Sequence, residues 1–387
     1  VLWLLNGEWE AMIEKLFLRI FPHYHTLTDR EKRSIRRRPL TFCLVAGALL
    51  LYFCFSLLNN TQKDNRKWNE TFVIPTKILA DMSYVSKDAT KVTCGTYVDN
   101  IYDIDMANGT FCVSFLTWFR WDGDDITDMA DHFRIYQGSI LNKSIVKNYK
   151  KGNMHYQLLR AKVRVTHNFW TKSFPLDKHQ LSFYIEPYYT AMRVVLVPDK
   201  ENSNVNLNLH ISGYGVTKAG MGAQAYEYRN TRGDVEIEGL KNISSEIVTS
   251  LQIKRDGLGL YVKCFIGLFG CLIWALMVLY INIYHRVDPL SMLPGALFGC
   301  VANIMVGASL LPDALELGLL EYVNIWGIFI ILSVALVVMK INDMRRVYKE
   351  NKVVSYYTAV YGRLMFYSVT FLAVLGNVLM PAIVYFS

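Results

Sequence analysis

Between two strand-like runs the chain reads TKSFPLDKHQLSF (Thr171–Phe183), where a Phe-Pro-Leu-Asp step sets the Asp177 carboxylate just past a proline. Other reactive side chains do not gather. Of seven cysteines, Cys43, Cys54, Cys264, Cys271 and Cys300 fall in apolar blocks and serve most simply as small apolar residues. Cys94 and Cys112 lie outside those blocks. A hairpin turning near Met106–Asn108 would set Cys112 opposite roughly Ile101, away from Cys94, so no disulfide is expected between them. There is no CxxC, no His/Cys cluster at zinc spacing, no glycine-rich phosphate loop and no nucleophile–base pair. The expectation is therefore no enzyme, no cofactor and no metal. What Asp177 does depends on the elements around it.

Those elements divide sharply. Of 387 residues, 52% are hydrophobic and 13% aromatic, too apolar for an average soluble domain and too polar for membrane throughout. Leu40–Leu58, Leu260–Ile283, Leu290–Leu311, Tyr322–Met339 and Leu364–Phe386 are near spanning length. Between Asn59 and Asp256 no such block occurs. The expected domains are a basic segment (1–38), a transmembrane helix (39–59), an outer polar domain (60–256) and a channel-type helical domain (257–387), with helices near 260–283, 290–311, 322–341 and 363–386. Residues 1–30 are apolar at helical spacing with charges between, either an amphipathic helix on the inner leaflet or a partner, or a short packing helix.

Lysine and arginine near the span ends set the orientation. REKRSIRRRP precedes the first span and KINDMRRVYKENK lies between the fourth and fifth, while LPDALELGLLEY, between the third and fourth, has three acids and no base. The N-terminus then lies inside, with the polar domain and C-terminus outside. The first span begins some forty residues in, with no small-residue cleavage site after SLLNN, which argues against a cleaved signal peptide. The expected location is the plasma membrane, or the inner membrane of a bacterium, with the polar domain extracellular or periplasmic. The net charge of +8 is mostly positive-inside signal and does not call for nucleic acid. Sequons at Asn59, Asn69, Asn108, Asn142 and Asn242 all fall in the outer segment.

Alternation with period two dominates residues 90–255. KVTCGTYVDNIYDID and TFCVSFLTWFRW read as one hairpin; QLLRAKVRVTHNF, QLSFYIEP, RVVLVPD, VNLNLHISGYG, AQAYEYR and EIVTSLQIKRD continue the pattern. Many short strands predict an antiparallel β-sandwich. Only DGLG separates its last strand from the second span, a link short enough to transmit motion.

A sandwich followed by four helices, with FPLDKHQL two-thirds of the way along, resembles the pentameric ligand-gated ion channels, over about residues 85–387. FPLDKHQL is similar to that family's basal loop in its bacterial form; His167 and Leu181 stand where Cys-loop members carry a cysteine pair. NIYDIDMANGTFCVSFLTWFRWDG is similar to the first hairpin, LQIKRDGLGLYVKCF to the last strand entering the first channel helix, and NIMVGASLLPDALELG to the end of the pore helix. Departures are Val262 near the usual proline of the first channel helix, a short Trp121–Phe174 stretch, no Trp-x-Pro motif, and the extra N-terminal span.

The resemblance implies a homopentamer in lipid, conducting an ion and gated by a small-molecule ligand. It puts Asp177, with Phe174 and Pro175, at the base of the sandwich, Arg255 beside it and Asp103 or Asp105 near, a node reaching the Pro312–Leu320 link. In the pore helix Ser291, Gly295, Phe298, Ala302, Met305 and Ser309 fall on one stripe, with Phe298 as a hydrophobic constriction and Asp288 as a carboxylate ring favouring cations. Leu290, Leu297, Val301, Ile304 and Ala308 form a competing stripe that fits packing better. Pro294 fits a helix start, which would leave Asp288 in a loop. For a ligand, Tyr188, Tyr189, Tyr226 and Tyr228 match one side of the family's intersubunit site and Trp118 and Arg120 the other; they could equally be ordinary sandwich aromatics. The alternative is a non-conducting pentameric sensor or scaffold, docking through the N-terminal helix and extra span.

Overall fold

The computed structural model describes residues 27–72, 88–231, 233, 242–311, 317–347 and 352–387. The chain divides into two compact units, one of residues 1–61, 259–309 and 315–387, the other of 62–258 and 310–314. The amphipathic stretch expected over residues 1–30 lies almost wholly outside the described residues, as does 312–316 of the expected link.

In the first unit, Thr28 and Glu31 open helix α1 (Asp29–Phe72) with a reciprocal cap: the Glu31 carboxylate accepts from the Thr28 N–H at 2.9 Å and from its hydroxyl at 2.8 Å. The sequence predicts a span ending near residue 59, yet the helix runs on through NTQKDNRKWNETF, because that stretch holds no Gly or Pro to stop it. Ile35, Ala46, Leu50, Phe53 and Leu57 make its buried face, while Leu44, Leu51 and Phe55 are exposed. Helices α2 (Gly259–His285), α3 (Leu293–Ala308), α4 (Leu319–Val347) and α5 (Lys352–Phe386) complete the unit. Phe53 of α1 packs on Tyr322 of α4 at 4.8 Å, and Ser56 shares a 2.7 Å hydrogen bond with the Tyr322 hydroxyl. Phe265, Leu268, Leu272, Ala275 and Leu279 form a buried seam on α2 at alternating spacings of three and four. At Gly376 of α5, a Cβ would come within 2.1 Å of the Trp326 indole nitrogen, so the ring lies flush on the backbone. Taking the 3-10 turn Leu290–Met292 with α3, five helices among the described residues are long and apolar enough to cross a membrane.

The second unit is sandwich-like. Its first sheet has strand order β4 (Gly138–Lys151), β5 (Met154–Thr166), β2 (Thr110–Asp122), β1 (Thr90–Asp105), β7 (Val194–Pro198), with β8 (Asn204–Val205) also on β1; its second runs β3 (Phe133–Tyr136), β6 (Lys178–Pro187), β10 (Asn242–Arg255), β9 (Tyr214–Tyr228). Alternation sets the faces: on β5, Leu159, Ala161, Val163 and Val165 are buried while Arg160, Lys162 and Arg164 point to water. Phe115 stacks on Phe183 at 4.6 Å between the sheets. The last turns of α1 belong here too: the Gln252 side chain donates to the Trp68 carbonyl at 2.8 Å, and the Lys178 ammonium lies 5.6 Å from the Trp68 ring.

Two expectations change. The sandwich is not wholly antiparallel: β7 and β8 pair with β1 in parallel. The chain switches sheets after β6, so no hairpin dictates the direction in which it arrives. VNLNLHISGYG is not one strand: β8 ends at Val205, and only the segment's last two residues, Tyr214 and Gly215, are strand again, opening β9. Asn206 turns the chain, its side chain accepting the Asn208 N–H at 3.0 Å and its carbonyl the Leu209 N–H at 3.0 Å. The hairpin register sets Cys112 against Tyr102 and Cys94 against Phe119, and both thiols are free.

Candidate functional site

The Phe-Pro-Leu-Asp step is a tight turn leading into β6. The Leu176 N–H donates to Ser173 at 2.8 Å, and the Phe174–Pro175 bond is cis. Asp177 is fully buried. Arg255, at the end of β10, donates to it through Nε at 3.2 Å and Nη2 at 3.3 Å, while the Arg255 backbone N–H donates to the Asp177 carbonyl at 3.0 Å. The Tyr214 hydroxyl donates to Asp177 Oδ2 at 2.7 Å and His179 Nε2 to the same oxygen at 2.6 Å. Arg255 also donates to the Tyr214 oxygen and lies 3.9 Å from its ring centre. The Phe174 ring centre is 6.0 Å from the guanidinium. Burial alone would raise the Asp177 carboxyl; the His179 hydrogen bond, the charges of His179 and Arg255 and the Tyr214 hydroxyl hold it well below the usual carboxylate range.

The structure thus brings Asp177, Arg255, Phe174 and Pro175 together and excludes Asp103 and Asp105. Both acids are engaged elsewhere, Asp105 within its own hairpin turn and Asp103 with β5. Asp105 accepts from the Asn108 N–H at 3.0 Å and its amide at 2.6 Å, and Asp103 sits 3.6 Å from Arg164. In their place stand Tyr214 and His179, which sequence reasoning missed. His179 was the easier to find, two residues after Asp177 at a strand start and hence on the same face. His167, at one of the two positions where the resembled family bears cysteines, packs edge-on between Phe111 at 5.8 Å and Phe169 at 4.8 Å. Burial, reinforced by His179, lowers it to about 4.

On α3, Pro294 stands in the first turn, so the helix begins at Leu293 and Asp288 lies in the preceding loop. The Asp288 carboxylate accepts from Leu290 N–H at 3.1 Å and from the Asn342 amide at 2.6 Å. Ser291, Gly295, Phe298, Ala302, Met305 and Ser309 are all exposed on the single chain, Phe298 at 76% and Met305 at 70%. Of the competing stripe, Leu290, Leu297 and Ile304 are half-buried and Val301 and Ala308 exposed. The buried side is Leu293, Ala296, Cys300 and Gly307, where small residues let neighbours close in: a Cβ on Gly307 would stand 2.8 Å from Leu320.

The ligand candidates separate into groups. Trp118 and Arg120 share one face of β2; the Trp118 indole donates to Asp199 at 3.0 Å, and its ring lies so close to Gly95 that a Cβ there would approach within 2.1 Å. Tyr188 is exposed, and Tyr189 stacks on His132 at 5.5 Å under the Arg193 guanidinium. Tyr226 and Tyr228 meet edge-to-face at 4.7 Å, joined by Tyr136 at 5.3 Å from Tyr226. Beneath them lie acids that the sequence reading missed. Glu186, buried on β6, takes a bidentate Arg134 at 2.9 and 2.7 Å and the Tyr228 hydroxyl at 2.9 Å. Glu246, fully buried on β10, accepts from Gln224 at 2.8 Å, and its second oxygen has no partner among the described residues. Burial first, then the Glu186 charge, push its carboxyl up to about 7, against the lowering pull of Gln224 and Arg134. Their strand alternation gave no cue, since FYIEP and SSEIV read as polar residues on an outward face.

Neither protein-family models nor curated protein sequences match this chain.

Proposed function

We propose that the chain is a subunit of a homopentameric ligand-gated ion channel of the family it resembles. The outer sandwich binds a small-molecule ligand, and a four-helix membrane domain carries a cation-leaning pore lined by α3. The observation that carries this reading is the open face of α3. A helix exposing Phe298 and Met305 while packing its other side on Leu320 leaves an apolar stripe for further copies of itself, and a single chain encloses no pore. The buried Asp177–Arg255 pair supports it, because β10 ends at Arg255 and α2 begins at Gly259, so that few residues separate the node from a channel helix. Asp288 supports cation preference as a ring of five carboxylates. The pathway needs no nucleic acid and no enzyme chemistry. Light scattering in mild detergent should give five copies per particle, and planar bilayers should show discrete conductance. Monomer or dimer as the sole species would remove the reading. A pentamer silent under every ligand tried would favour the sensor or scaffold, for which the exposed face of α1 offers a docking side.

A further inference from the structure

At the edge of the sandwich where β8 and β9 lie, a cavity of about 280 Å³ opens between the sheets. It holds roughly nine waters' worth of space. It exists because β9 presents Ala219 and Gly220 there, opposite a floor of two threonines. Thr96 of β1 and Thr249 of β10, both buried, share a hydrogen bond at 2.8 Å across the sheets. One hydroxyl donates to the other, so the pair retains one O–H hydrogen with no acceptor among the described residues. Ser203 is fully used: it accepts the Thr96 N–H at 3.0 Å and donates to the Met221 sulfur at 3.3 Å. Asn204 spends its oxygen on the Val205 N–H at 2.8 Å, leaving its amide hydrogens without an acceptor among the described residues. Lys200 has no ion-pair partner among them either, since neighbouring Asp199 serves the Trp118 indole and the Asn202 amide.

None of the lining residues is acidic, and three donor groups remain unspent: an ammonium, an amide and a hydroxyl. The remaining wall, Val205, Met221 and Ala219, is apolar. We propose that this cavity binds a short-chain organic carboxylate, its head group held by Lys200, Asn204 and the Thr96–Thr249 pair and its few carbons lying against Met221 and Val205. Such a ligand would bridge the two sheets. It would sit at mid-length on the same strands whose ends supply Tyr214 and Arg255 to the Asp177 node. It shares no lining residue with the aromatic ligand candidates, of which Trp118 stands nearby, bonded to Asp199.

The test is calorimetric titration of the purified full chain in detergent with sodium butyrate, butyramide and butylamine, so that it reads binding whether or not the protein conducts. Butyrate should bind and raise the melting temperature, while the amide and amine should not. Affinity should rise about fourfold per methylene from acetate to butyrate. Lys200→Gln, an exposed change that leaves packing intact, should weaken butyrate about tenfold. Thr249→Val should weaken it several-fold, and Met221→Trp should fill the space and abolish binding. Equal responses to butyrate and butyramide, inorganic phosphate binding as tightly as butyrate, or unchanged affinity in Lys200→Gln would each overturn the assignment.

Discussion

Asp177 is held by three side chains and by the main chain of Arg255. Its folded pKa lies below the unfolded value near 3.8, so its contribution to stability is complete above that value and is lost as pH falls through the folded pKa. Asp177→Asn should cost about 1–3 kcal/mol at neutral pH, since it leaves Arg255 short of an acceptor in a shielded place. Tyr214→Phe should cost about 1 kcal/mol. Denaturant midpoints check both, and a double-mutant cycle giving zero coupling would show that the two side chains act apart. Glu246 behaves in the opposite sense. Its folded pKa of about 7 exceeds the ordinary 4.5, so the native chain binds that proton more tightly. Its contribution is complete below 4.5 and is lost as pH rises through about 7. His167, lowered to about 4, pulls stability the opposite way over nearly the same window. The readout is therefore the difference in melting temperature between Glu246→Gln and the parent chain, which should grow in the variant's favour as pH rises from 4.5 toward 7 and so change the slope. An unchanged slope would mean that the charge is matched by groups other than Gln224 and Arg134. The sequence offered Asp177 and Arg255 because both stand at marked places, one after a proline turn and one just before a helix. Tyr214, Glu186 and Glu246 were hidden, because only the fold decides that an outward strand position is covered.

Elements were legible where one physical signal was strong. The apolar blocks became helices, all but α3 extended at polar ends by residues that a hydropathy window discards, most of all in α1; α3 stops at Ala308, short of its block's end. The β1–β2 hairpin appeared because two apolar-rich strands flank a four-residue turn, although the pairing carries two register shifts. β4 escaped notice: GSILNKSIVKNYKK is an edge strand with no buried residue, so no face imposes a period on it. Val205–Leu209 misled in the reverse way, alternating like a strand while its asparagines fold it into turns; Leu207 ends 95% exposed. On α3 the two stripes differ by one residue; the single chain exposes the first throughout and the second in part, so mutation must choose between them. Phe298 touches little within its own chain, and Phe298→Ala should leave folding unchanged while raising resting conductance, as a narrower apolar barrier is lost. Single-channel recording against Leu297→Ala is the control: a silent Phe298→Ala beside an open Leu297→Ala would move the constriction to the neighbouring stripe.

For the whole molecule, the division into a sandwich-like unit and a helical unit follows from where the apolar blocks stop and alternation begins, a boundary legible in the residue types themselves. Pairings that depend on chain crossing, such as the parallel β1–β7 edge, are not legible in that way, because no local pattern encodes direction. Each unit also contains one tryptophan laid flat on a glycine, Trp118 on Gly95 and Trp326 on Gly376. In each pair the ring occupies the volume in which any other residue would put its first carbon, so the two positions form a single heritable character. A library randomised at position 95 should return only glycine while Trp118 is kept, and should admit alanine and serine once Trp118→Ala is made; deep sequencing of folded variants reads this directly. Free drift at 95 beside an intact tryptophan would show that the ring can swing away. Among descendants of this chain, the two members of a pair should then be lost in one order only, tryptophan first and glycine after, which makes each pair a one-way marker of lineage.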